Sequence, residues 1–374
     1  MTKNIKYLAI SDIHLGHKRN KTENIIYNLN IFFDYFSSKT PFPDIDIFFI
    51  VGDLFDRLLD FSSDDIYEVI PWLNSLMKFC LRNNIKLRIL EGTPSHDWRQ
   101  SRIAETIFKL IPEGLDFKYI DTLYIEDMKD LDLKILYVPD EWTDNADKTY
   151  LQVLDLLREK NIDKVDLAMM HGLFNYQLKN MPNNNIKHDE SNYLNIVNHF
   201  INIGHIHTFS TYENIIAQGS FDRLSHGEEE PKGAVLCTIS DEGNSFVFIE
   251  NKLAKIYKTI TLKNKDLEKS LKKLDKELHG LPIDSNIRIK ANKDHPIYIA
   301  IEDIKSRYVN YNFTKMSIED EEESNTISIQ MDDNYVPITI TKENIKDSLL
   351  VELTKYDLSD KQLNIIEELI DLNR

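Results

Sequence analysis

The chain has 374 residues, 42% of them hydrophobic, and a formal charge of −17. Length favours about two to three domains, and no apolar stretch reaches the ~18 to 20 residues of a membrane helix, so a soluble protein with no membrane part is expected. The charge argues against a nucleic-acid binder, because affinity for phosphates comes largely from lysine and arginine. It does not decide the matter, since carboxylates that hold divalent cations count as negative although the ions offset them, and 45 basic residues are enough for a local patch.

Met1-Thr-Lys-Asn-Ile lacks the apolar centre of a signal peptide, and Cys80 and Cys237 have no metal-ligand spacing. A reducing cytoplasm is therefore expected, with both thiols buried. Lys6 to Ser11 reads as a strand running into Asp12-Ile-His14. The loop from Gly16 to Lys21 is basic and reads either as a solvated turn or as a phosphate-contacting loop. Ile25, Leu29, Phe32, Phe33 and Phe36 come next at helical spacing.

Ile47 to Val51 is a short apolar run broken at Gly52, as expected of a strand covered on both faces that delivers Asp53 just past its carboxyl end. Open α/β sheets place their chemistry there. Ser62-Ser-Asp-Asp supplies an N-cap and acidic first turn for a helix carrying Ile66, Val69, Ile70, Leu73, Met77 and Cys80, with Pro71 expected to kink or restart it. Strand and helix alternate through Lys86 to Glu91, a helix near Arg102 to Leu110, a strand at Leu133 to Val138 and a helix holding Leu151, Leu154 and Leu157, the texture of βαβ units. From Ile203 to Ile249 the texture changes to short strands without helices.

Four further apolar runs end as the Asp53 run does: before Asp12-Ile-His14, before Gly92-Thr-Pro-Ser-His96-Asp97, before His171, and before Gly204-His205-Ile-His207. Asp12, His14, Asp53, His171, His205 and His207 thus gather at one layer of strand ends. The spacing of two in Asp12/His14 and His205/His207 lets an extended backbone aim both side chains at one locus. Carboxylate and imidazole without thiolate suit Mn, Fe or Zn better than Ca, and two such ions form the usual clamp for displacement at phosphorus. Asp53 is the expected shared carboxylate. His96, with Asp97 after it, is the candidate that stabilises the leaving oxygen.

In this order, Asp12-x-His14, Gly52-Asp53-x-x-Asp56, His96-Asp97, His171-Gly172 and Gly204-His205-x-His207, the chain resembles the calcineurin-like metallophosphoesterase superfamily. Within it the chain resembles the Mre11/SbcD nucleases, in a form such as a bacteriophage recombination nuclease. The narrower likeness rests on Gly52 to Asp56, on Gly219-Ser-Phe-Asp with Glu230-Pro-Lys-Gly233, and on the downstream layout. It implies a four-layer α/β/β/α sandwich over 1–251, a small α+β capping domain over 252–337 that sits on DNA, and C-terminal helices over 338–374. It also implies that Asp12, His14, Asp53 and His207 hold one metal, that Asp53, His171 and His205 hold a second, and that His96 is catalytic with Asp56 in support. The two ions would be Mn2+, with Mg2+ as the alternative. The activity implied is that of a double-strand DNA exonuclease and single-strand endonuclease in recombination and repair. One position departs from the family: Ser95 stands where it has an asparagine ligand, so looser or water-mediated binding of the second metal is expected.

Within 252–337, a lysine-rich helix carries Leu267, Leu271, Leu274 and Leu278 and closes at Gly280. Strands are expected at Ile287 to Lys290 and Ile297 to Ile301, and Glu319 to Glu323 reads as a solvated acidic loop. Two terminal helices complete the chain. One shows Ile345, Leu349 and Leu353; the other has a capping box at Ser359 and Gln362 and a stripe of Leu363, Ile366 and Ile370. That stripe packs either on the chain's own core or in a partner's groove. The resemblance implies the second, with residues 341–374 on a Rad50/SbcC-like ATPase, a homodimer, and host cytoplasm if the chain is phage-encoded. The alternative function is a stand-alone phosphomonoesterase or cyclic-nucleotide phosphodiesterase, which the acidic balance suits. A catalytically silent scaffold has only Ser95 in its favour.

Overall fold

The computed structural model describes residues 4–38, 44–178 and 186–318. In chain order, β1 (Asn4–Ile10), β2 (Ile47–Val51), β3 (Lys86–Leu90) and β4 (Phe117–Ile120) run parallel as neighbours. Helices α1 (Thr22–Ser38), α2 (Asp64–Arg82), α3 (Pro94–Asp97) and α4 (Ile103–Phe108) lie between these strands in sequence. A second sheet takes β5 (Tyr124–Met128), β6 (Leu133–Val138) and β7 (Val165–His171), with α5 (Ala146–Glu159) between the last two. After a short parallel pair, β8 (Leu173–Phe174) with β9 (Lys187–His188), helix α6 (Glu190–Ile196) leads into β10 (Val197–Gly204), β11 (Ser210–Tyr212) and β12 (Ile215–Ala217). The chain then returns to the first sheet with β13 (Gly233–Ser240) and β14 (Ser245–Glu250).

Each large sheet has six strands, in the orders β14-β13-β1-β2-β3-β4 and β11-β12-β10-β7-β6-β5. Both are mostly parallel and flanked by helices. All five residues of β2 are buried, because alternate side chains enter different cores. Phe48 and Ile50 pack with Ile25, Leu29, Val69 and Leu73 of α1 and α2. Phe49 and Val51 face Tyr137, Leu167 and Met169 of the other sheet. The far side of that second sheet is covered by Val153, Leu157, Tyr193 and Ile196 of α5 and α6. Polar links cross between the sheets: Tyr7 donates to Asn202 Oδ1 at 2.9 Å, and Arg88 and Lys118 both pair with Glu126, Arg88 at 2.9 Å.

The α2 sequence places Ser63 at the N-cap, but its hydroxyl makes no cap hydrogen bond, and the helix runs through Pro71 as one element rather than two. Past Tyr257 the chain builds a smaller sheet from β15 (Tyr257–Leu262), β16 (Asn286–Ala291) and β17 (Asn312–Ser317). Its own apolar core includes Leu274 and Leu278 of α7 (Leu267–Leu278), with Ile289 and Ile301. The strand expected at Ile297 to Ile301 is instead helical, as α8 (Pro296–Ile299) and α9 (Ile301–Arg307). Pro296 at the first helical position and the His295 side chain, which accepts from Ile297 N–H, start a helix there, and Ile297, Ile301 and Ile304 bury one face at helical spacing.

Met1–Met316 forms one compact unit. Most of 317–374, including the acidic loop and the helices expected over 338–374, lies outside the described residues, as does the ATPase contact expected at 341–374. Among the described residues no helix is long and apolar enough to cross a membrane.

Candidate metal centre

The loops after β1 and β2 zip together through their backbones. Asp12 N–H donates to Gly52, Ile13 and His14 N–H to Asp53, and Leu15 N–H to Leu54. Asp12, His14, Asp53 and His205 all have positive φ, at 50°, 54°, 49° and 96°. Non-glycine residues in this region are strained, and such strain clusters at functional sites. The spacing of two thus works through left-handed turns rather than the extended backbone expected from sequence. Gly52, at φ 82°, is required both by that angle and by the His171 ring, which occupies the place a Cβ would take.

The side chains converge in three overlapping groups that could each hold a metal ion: Asp12 with His14 and His207, His14 with Asp53 and His96, and Asp53 with His171 and His205. Asp53 is buried and divides its two oxygens. Oδ1 lies 3.2 Å from His171 Nε2, while Oδ2 lies 3.7 Å from His14 Nε2 and 2.8 Å from His96 Nδ1. His14 Nε2 and His207 Nε2 stand 3.1 Å apart, and His207 Nε2 is 3.8 Å from Asp12 Oδ1. His205 N–H donates to Asp12 Oδ1 at 2.9 Å.

Two observations fit a cation to these residues. His171 Nδ1 is 2.8 Å from the Val51 carbonyl oxygen, to which only a protonated Nδ1 can bond. Its buried Nε2 has no hydrogen-bond partner among the described residues, which is how an imidazole ligand is held by a second contact. His14 and His207 likewise aim their inner nitrogens at one point while their outer Nδ1 atoms lie 3.2 Å from Asp56 and 3.3 Å from Glu228.

The charges support one another. Burial alone would raise the Asp53 pKa, but His171, His96 and His14 hold it well below the usual carboxylate range. The hydrogen bond that His96 donates to Asp53 raises the His96 pKa above the ordinary histidine value against the effect of burial. Burial raises Glu228 too, yet its contacts with His207 and Lys232 bring it down to about 2.

Asp12, His14, Asp53, His171, His205, His207 and His96 therefore meet at one locus, with Asp56 beside His14. Ser95, expected at the second metal, is exposed instead, and its carbonyl accepts from Trp98 Nε1. It lies in the first turn of α3, and Thr93, just before that helix, turns its hydroxyl inward: Oγ1 is 3.3 Å from Asp53 Oδ2 and 3.2 Å from His205 Nδ1. Asp97 does not reach the centre either. It is fully buried and accepts from the N–H groups of Phe55 and Gly92, both at 2.8 Å, so it ties the Asp53 loop to the His96 loop. Burial, with Asp53 and Glu91 nearby, raises its pKa well above the usual range.

Two residues at the centre, Asp140 and Glu228, escaped the sequence reading. Asp140, 3.0 Å from Thr93 Oγ1 and 3.5 Å from His205 Nδ1, comes after the end of β6 through Pro139, the same strand-end signal that marked the other ligands. Glu228 opens a run of three glutamates of which only Glu230 entered the resemblance. Lys18, Arg19 and Lys21 of the basic loop are exposed.

No protein-family model matches the chain, and no curated protein matches it. Among solved structures, one crystal structure aligns with 67% of this chain and 100% of its own at 11% identity and a TM-score of 0.38, a likeness that carries neither fold nor function across.

Proposed function

We propose that the chain is a two-metal phosphodiesterase acting on DNA, a nuclease of the Mre11/SbcD kind built on the four-layer metallophosphoesterase sandwich. The observation that carries this reading is the division of Asp53, one oxygen toward His171 and the other toward His14 and His96. Asp12, His14, His207 and Asp53 would hold one ion, and Asp53, His171 and His205 the other, with Mn2+ favoured over Mg2+. Two divalent ions supply a water of lowered pKa and neutralise charge on a phosphodiester.

The chain's own residues do the rest. His96, hydrogen-bonded to Asp53 through Nδ1, would donate a proton to the leaving oxygen. Asp56 and Glu228 orient His14 and His207 from behind. Val51 fixes the His171 ring. The segment past Tyr257, with Lys269, Lys272 and Lys276 on α7, is the part proposed to sit over DNA. The homodimer, the Rad50/SbcC-like ATPase partner and a cytoplasmic site of action are proposed with the same reading.

The test is digestion of linear duplex DNA with Mn2+, with and without a co-expressed ATPase, for wild type and Asp53→Asn. We expect wild type to cut and the variant to lose all cutting with its circular dichroism unchanged. Metal-independent cutting, or wild-type turnover in Asp53→Asn, sinks the reading.

A further inference from the structure

Beside the second metal group a cleft of about 410 Å3 opens between the His96 loop and the loop after β6. Its walls carry two indoles, Trp98 and Trp142, and Pro94. Trp98 is 58% exposed. It is also held firmly. Trp98 and Arg99 are consecutive left-handed residues, at φ 48° and 55°, mounted directly after the buried Asp97. Trp98 Nε1 donates to Ser95 O at 2.7 Å and Trp142 Nε1 to Gln152 Oε1 at 2.7 Å. With both N–H groups satisfied, the ring faces are what remain to bind, and among the described residues neither indole has a ring contact.

The cleft is continuous with the metal centre, because Asp140 lines it and also stands 3.0 Å from Thr93. Its polar lining sets four carboxylates, Glu91, Asp121, Asp140 and Glu141, against one cation, Arg99. Glu141 and Asp140 face it, and the pKa of Glu141 is raised by burial and by Asp140 beside it; Asp121 is already paired with Arg102 at 2.8 Å. A phosphate is repelled by such walls. A flat, neutral ring with amino hydrogens is not: it stacks on indole and donates to carboxylate. Rigid indole faces, a volume sufficient for one base and continuity with the phosphodiester site all select the same occupant.

We infer that the Trp98–Trp142 cleft is a subsite for one unpaired, amino-bearing nucleobase of the strand whose phosphate lies at the metal centre. This rests on the nuclease reading above, and it adds that the strand is single at this point.

The test uses the full chain, Mn2+ and a short single-stranded oligonucleotide with cleavage-resistant phosphorothioate linkages and one 2-aminopurine, whose fluorescence is quenched on stacking. Wild type is expected to quench it. Trp98→Ala and Trp142→Ala should each lose quenching and bind about ten- to a hundredfold more weakly, the size of one lost base–aromatic stack. Trp98→Phe should restore part of both. An oligonucleotide with thymine in place of 2-aminopurine should compete weakly, and binding of one with an abasic site at that position should be the same for wild type and the tryptophan variants. Absence of quenching with wild type, or both alanine variants binding as wild type does, overturns the inference. Failure of wild type to hydrolyse any phosphodiester defeats the nuclease reading instead, and the binding measurement does not depend on it.

Discussion

The Thr93 hydroxyl lies 3.0 Å from the Asp140 carboxylate and within 3.3 Å of Asp53 Oδ2. A hydroxyl is a weak neutral ligand, but one whose proton is drawn toward a carboxylate presents its lone pairs inward, where His205 and Asp53 converge. On the proposed two-metal reading, Thr93 rather than Ser95 would supply the neutral oxygen at the second ion. Thr93→Val, which keeps shape and removes the oxygen, should weaken the second of two Mn2+ binding steps in calorimetry. Asp140→Asn should weaken the same step by about ten- to a hundredfold, as loss of a supporting contact does. Ser95→Ala should change neither step. Equal loss in Ser95→Ala and Thr93→Val would return Ser95 to the centre.

His96 is bound to Asp53 through Nδ1 at 2.8 Å, and it belongs to one of the three groups that could take an ion. Ligand and proton donor are distinguished by what its loss removes. As a proton donor, His96→Ser should leave the manganese stoichiometry intact and slow hydrolysis by about 10² to 10⁴, the range for general acid catalysis. The loss should be smaller for a substrate with an activated leaving group, which needs no proton. A variant that binds one ion fewer makes His96 a ligand.

How far the centre was legible in sequence depends on what each residue needed. Asp53, His171 and His205 could be found because strands buried on both faces are written as unbroken apolar runs, and a carboxylate or imidazole at the end of such a run stands out. The fold around them was legible for the same reason, down to the stripe of Ile25, Leu29 and Phe32 on α1. The geometry was not. Left-handed backbone at Asp12 and His14 arises from the pairing of two loops distant in sequence, and no local pattern encodes it. Asp97 looked catalytic from its place beside His96, yet its carboxylate points back into the protein to hold two N–H groups, a choice fixed by tertiary contacts. Ile297 to Ile301 looked like a strand because five apolar or aromatic residues fit either period, and the cap from His295 decided it.

The last prediction concerns the buried pair that joins the two sheets. Arg88 on β3 and Glu126 on β5 are 1% and 3% exposed, and Glu126 also accepts from Tyr137 Oη at 2.9 Å and pairs with Lys118. Arg88 also pairs with Asp116 Oδ1 at 2.8 Å and donates to two backbone carbonyls, so Glu126→Leu leaves it partly compensated and should destabilise the fold by less than the about 3 to 5 kcal/mol of a buried charge left alone. Arg88→Met with Glu126→Leu together should recover much of that. Burial would raise the Glu126 pKa, but Arg88 and Lys118 bring it below the ordinary value. A carboxylate whose folded pKa is depressed contributes stability that is present above its unfolded pKa and lost as pH falls through the folded one. Wild type should therefore lose more melting temperature than Glu126→Gln between pH 5 and pH 3, and the two curves should approach each other at the acid end. Parallel curves over that range would show that the pair contributes nothing that titrates.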